Sequence, residues 1–95
     1  MEITTSGSKV KIIGNIKSIS DYQRIRSTVD EMVQSSKAIT IVLENSISII
    51  SSVIGYFNKL VLKDEISLNI TVDDDSLYEL FNDLGLVQLF RVQRV

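Results

Sequence analysis

The chain has no cysteine, which excludes a disulfide framework, a thiolate nucleophile and any sulfur-ligated metal. It has no histidine either, so the commonest general base near neutral pH and the commonest transition-metal ligand are both missing. No apolar run approaches the roughly 18 residues that suggest a membrane-spanning helix. Met1-Glu2-Ile3-Thr4 lacks the basic-then-apolar order of a secretory leader. Cationic surplus is absent as well: 10 basic residues stand against 12 acidic ones, for a net charge of −2. Phosphate binding wants a basic surplus, so nucleic acid is not the expected partner. Acid–base chemistry would fall to Asp, Glu, Lys and Tyr alone, and no pair of them sits at a motif spacing. These absences point to a cytoplasmic binding protein rather than an enzyme, with no cofactor and no metal.

What is present suits one folded unit. The chain has 95 residues, of which 44% are hydrophobic and 23% charged, a globular composition long enough for a single core. Ile3-Thr4-Thr5, the turn cluster Ser6-Gly7-Ser8 and Lys9-Val10-Lys11-Ile12-Ile13 read as a hairpin closed by Gly14-Asn15. A first helix follows, with Ser20 and Gln23 at capping-box spacing and Tyr22, Ile25, Val29, Met32 and Val33 at helical intervals. Ala38–Leu43 is a β-branched apolar run of the kind found in strands covered on both faces. A second helix starts between Ser48 and Ser51 and carries Ile50, Val53, Ile54, Phe57, Leu60 and Val61.

Ile66–Val72 alternates, as a strand with one wetter face nearer an edge does. Ser76 and Glu79 repeat the capping-box spacing ahead of Leu77, Leu80, Phe81 and Leu84, and Gly85 ends that helix. Leu89–Val92 reads as a last short strand or turn. The order β-β-α-β-α-β-α calls for an α/β domain with a small mixed, mostly parallel sheet and three main helices, packed on one face or on both.

At the join between the third strand and second helix, Leu43 to Gly55 resembles the corresponding stretch of the STAS family, which includes bacterial anti-sigma factor antagonists. Ile50-Ser51-Ser52-Val53-Ile54-Gly55 falls without a gap on that family's Asp-Ser-Ser-Gly-Leu-Gly, with Ile50 in place of the Asp and Val53 in place of the first Gly. Gly14-Asn15-Ile16 is similar to the Gly-x-Leu/Ile after the family's second strand, and Leu80–Phe90 to its closing helix. The likeness covers nearly the whole chain. It implies a module that binds an anti-sigma factor of the serine-kinase type, and it puts Ser51 at the phosphorylated position, with Ser52 next. A constitutive STAS-like subunit, such as those attached to lipid-transport ATPases, is the alternative that dispenses with phosphorylation.

The family docks partners through this helix and the loop before it, which implies a contact surface of Asn45, Ser46, Ile49, Ile50, Ser51, Ser52, Val53 and Tyr56. Ile49, Ser52 and Tyr56 lie beyond the main apolar stripe of the helix, so they form either a partner-facing patch with an aromatic anchor or a partly buried flank. Ser51 has a plain alternative too, as a helix cap contributing about 1 kcal/mol. Asp73-Asp74-Asp75 reads as capping and dipole chemistry rather than a metal site. Arg24, Arg26, Arg91 and Arg94 read as solvated charge.

Overall fold

The computed structural model describes all 95 residues. Five strands and three helices follow the order β1 (Glu2–Ser6), β2 (Lys9–Ile13), α1 (Ile19–Val33), β3 (Ala38–Glu44), α2 (Ser51–Leu62), β4 (Ser67–Val72), α3 (Asp75–Asp83), β5 (Val92–Arg94). The strands lie side by side in chain order, β1 antiparallel to β2 and the other neighbours parallel. Gly7, at φ 58°, takes the first of the two turn positions between β1 and β2, where a hairpin turn of type II′ needs glycine. Crossovers of one hand between successive neighbouring strands put every helix on the same side of the sheet.

Side-chain burial obeys that geometry. Val10, Ile41, Ile70 and Val92 form one buried row across four strands, and Ile12, Leu43 and Val72 form a second. The residues between them (Lys11, Val42, Thr71 and Gln93 in one row, Lys9, Thr40 and Asn69 in another) point to the uncovered side and are exposed or half-buried. The apolar run at Ala38–Leu43 therefore lies in a strand covered on one face only, contrary to the both-face reading. Its period is two once Thr40 and Val42 are assigned to the open face, and the Lys11–Glu44 ion pair (2.9 Å) sits there.

The covered side holds one core of 20 apolar residues. A line of aromatic rings crosses it from α1 to α3: Tyr22 meets Tyr56 edge-on with centroids 6.4 Å apart, and Tyr56, Phe57, Phe90 and Phe81 follow at 6.1, 6.1 and 6.0 Å. Phe90 enters from a turn ahead of β5, so the last strand begins at Val92 rather than Leu89.

Helix starts differ from their sequence signatures by two residues. Ser18, not Ser20, caps α1: its Oγ accepts the Asp21 N–H at 3.1 Å, while the Asp21 carboxylate accepts the Lys17 N–H at 3.2 Å and is held below the usual carboxylate pKa by that bond. Asp74, not Ser76, caps α3 by accepting the Leu77 N–H at 3.0 Å. Gly85, at φ 71°, follows α3 in the left-handed conformation that ends helices.

Candidate functional site

Three loops leave the carboxyl ends of the parallel strands β2, β3 and β4, and they are tied to one another. The Gly14 N–H donates to the Glu44 carbonyl at 2.9 Å, the Ile47 N–H to Asn15 Oδ1 at 2.9 Å, and the Ile16 N–H to the Ser48 carbonyl at 3.3 Å. Asn45 turns the chain at φ 53°, and its N–H is shared by both carboxylate oxygens of Asp73 at 3.0 and 3.1 Å. The result is a rim at the carboxyl ends of the parallel strands whose three loops are held to one another by hydrogen bonds.

Helix α2 begins on this rim without a side-chain cap. Its N-cap is Ile50, which offers no side-chain acceptor. The backbone carbonyl of Ile50 accepts from Val53 at 3.1 Å and Ile54 at 3.4 Å, while the N–H groups and hydroxyls of Ser51 and Ser52 have no partner in the chain. Ser51 thus stands inside the helix as its first residue and does not act as the cap. Both serines are exposed, as are Asn45, Ser48 and Ile47, the last at 59% of its full surface. Unpaired N–H groups at a helix start carry partial positive charge and favour an anion. Ile47 adds an apolar side chain in water beside them.

The eight residues implied as contacts fall into three groups. Asn45, Ser51 and Ser52 lie on the surface, and Ile49 and Ile50 are half-buried against the core. Ser46, Val53 and Tyr56 are inside, which corrects their place in the implied contact surface, and for Tyr56 the reading as a partner-facing anchor. Ser46 is fully enclosed, and its hydroxyl is satisfied there: it donates to the Gly14 carbonyl at 2.6 Å, with the Glu44 carbonyl 3.3 Å away, stitching the rim from within. Val53 takes the first buried position of α2, whose core stripe is Val53, Tyr56, Phe57 and Leu60.

Tyr56 is 4% exposed, and its hydroxyl donates to Asp30 Oδ1 on α1 at 2.6 Å, with the Arg26 carbonyl of the same helix 3.4 Å away. Burial, then the neighbouring Asp30 carboxylate, pushes that phenol well above its ordinary pKa. Arg26 completes the group by donating to the Tyr22 hydroxyl at 3.2 Å and pairing with Asp30 at 3.6 Å. The width of the apolar sector of α2 thus reflects two buried contacts, Phe57 in the core against Phe90 and Tyr56 against α1, and the stripe is turned toward Tyr56.

Ile47 is the rim residue that periodicity did not single out; its position in a polar loop, outside any apolar pattern, was the available signal. The three adjacent aspartates act separately. Asp73 holds Asn45, Asp74 caps α3, and Asp75 accepts from Arg94 Nε at 2.6 Å. No helix is long and apolar enough to cross a membrane. No family model, curated protein or solved structure matches this chain.

Proposed function

We propose that the chain is a non-enzymatic regulatory module of the STAS type, which docks a protein partner through the rim around Asn45, Ile47, Ser51 and Ser52. In this reading it acts in the cytoplasm, its partner is an anti-sigma factor of the serine-kinase class, and phosphorylation of Ser51 releases that partner. The observation that carries the reading is the uncapped, exposed first turn of α2, where Ser51 and Ser52 offer unpaired N–H groups and hydroxyls on a rigid base. A phosphate there would bring about −1.5 to −2 charges to a helix end that tolerates them, so the domain stays folded while its contact surface changes sign. The gapless placement of Ser51 on the family motif supports the same residue.

The test is to recover partners from the native cell with the wild-type protein, then measure their affinity for Ser51→Asp. A switch loses at least about 2 kcal/mol, roughly thirtyfold, from a charge desolvated at the interface. Mapping phosphate to Ser51 after incubation with the recovered kinase and ATP completes it; an unmodified Ser51 would remove the switch. One feature favours a second reading. Ile50 makes the N-cap apolar and α2 has no acidic residue in its first turn, which suits a constitutive subunit of a larger ATPase. Such a subunit would bind equally well as Ser51→Asp.

A further inference from the structure

We infer that the outer edge of β1, together with the groove between β1 and α1, is a docking site for an extended peptide segment of a partner protein. The segment would add as a sixth strand, antiparallel to β1, with a basic side chain near Glu31 and an acidic one near Arg24. This site lies along the side of the sheet rather than on the rim at the strand ends, and it does not rest on the reading of Ser51.

The backbone supplies the first observation. β1 pairs on one side only, in the register Glu2↔Ile13, Thr4↔Lys11 and Ser6↔Lys9. Ser6 and Lys9 flank a two-residue turn and so form a hydrogen-bonded pair, and alternation makes Thr4 and Glu2 the next ones. Ile3 and Thr5 therefore turn their N–H and C=O groups outward, and no bond inside the chain uses them. The edge has no proline and no bulge, and Glu2 at its start is its one charged residue.

The groove supplies the second. A shallow groove of about 580 Å³, open to solvent, runs between Ile3 and Thr5 of β1 and Gln23, Arg24, Ser27 and Thr28 of α1, and Arg24 bridges its end by donating to the Met1 carbonyl at 3.1 Å. A further 320 Å³ continues it past Gly7 to Glu31 and Ser35. A strand added to the edge would close this groove as its third wall, with the side chains opposite Gly7, Thr5 and Ile3 directed into it.

Lining and charge then choose the occupant. A second copy pairing β1 to β1 would bring only Ile3 and Thr5 into the groove and has no basic residue in that strand to meet Glu31. The groove's lining is mostly hydroxyl and amide, which suits long polar side chains better than an apolar helix. Arg24 and Glu31 make no ion pair within the chain; the Arg24 N–H that donates to the Met1 carbonyl holds the guanidinium beside β1 and leaves its other N–H groups for a carboxylate. The two residues lie about 10 Å apart along the helix, close to the roughly 13 Å between positions i and i+4 of a strand. Since β1 runs in the same sense as α1, an antiparallel segment meets Glu31 first, so its order is basic, then acidic four residues later.

Two capped peptides test this by NMR titration of the ¹⁵N-labelled protein: acetyl-Thr-Lys-Val-Gln-Val-Glu-Thr-amide, and the same peptide with Lys and Glu exchanged. The expected result is saturable shifts of the Ile3 and Thr5 amides, with the first peptide tighter by roughly three- to tenfold, as two exposed ion pairs would supply. The double variant Arg24→Glu, Glu31→Arg should invert that preference. Thr5→Pro, which removes an outward N–H, should abolish binding while the β3 and β4 amides keep their exchange protection. No shift at millimolar peptide, equal affinity for both peptides, or shifts centred on α2 would overturn the proposal. So would concentration-dependent shifts of Ile3 and Thr5 without peptide, which would assign the edge to a second copy.

Discussion

Replacing Tyr56 by phenylalanine separates an internal tyrosine from a partner anchor. The ring stays packed between Tyr22 and Phe57, so the apolar burial is retained and only the hydroxyl is lost. That hydroxyl donates at 2.6 Å to a carboxylate, and hydrogen bonds to charged groups contribute about 1.5–3 kcal/mol net. Asp30 retains Arg26 at 3.6 Å and is itself half open to water, which places the loss at the low end, about 1.5 kcal/mol. For a domain of this size that lowers Tm by roughly 6–12 °C. A pH series adds a second signature. The folded-state pKa of Tyr56 is raised, so the folded chain keeps a proton that the unfolded chain releases near pH 10. The contribution is thus complete below about pH 10 and declines as pH rises above it. Urea unfolding at neutral pH and at pH 10.5 measures both effects, and the decline should shrink in Tyr56→Phe. Unchanged midpoints in the variant would refute the contribution of the internal hydrogen bond.

Three further substitutions probe how the rim and its helices are held. Ser46→Ala removes the hydroxyl that joins Gly14 and Glu44, and should cost about 1–2 kcal/mol, seen as a lower urea midpoint at constant m. Asp74→Ala removes the α3 cap and should cost about 1 kcal/mol in the same assay. Gly55→Ala should stabilise instead, by about 1 kcal/mol, because Gly55 lies inside α2 and an added Cβ meets nothing within 4 Å; calorimetry would register a Tm rise of roughly 4–8 °C.

Element type and order were legible because each rests on local periodicity: β4 alternates buried and half-buried from Ser67 to Val72, and α1 buries Ile25 and Val29 four residues apart. What depends on contacts between elements was not. The Ser20–Gln23 spacing fits a capping box as well as Ser18–Asp21 does, and the chain settles on Ser18, where Asp21 also secures Lys17. Periodicity centres the apolar stripe of α2 on Val53, Ile54, Phe57 and Val61 and leaves Tyr56 beyond its border, because the packing of α1, where Asp30 receives the Tyr56 hydroxyl, is what turns the helix toward Tyr56. Ser46 is hidden for the same reason: its acceptors, Gly14 and Glu44, lie in other segments. Of the implied contact surface, the residues whose side chains find no internal partner, Asn45, Ser51 and Ser52, are the ones that remain outside.

The most direct measurement is hydrogen exchange of the protein alone and in complex with the partner recovered from its native cell. Docking through the rim predicts slowed exchange concentrated from Asn45 to Ser52, and a tenfold or greater loss of affinity in Ile47→Asp. Slowing confined to α3 and β5, with Ile47→Asp binding as tightly as the wild type, would contradict it.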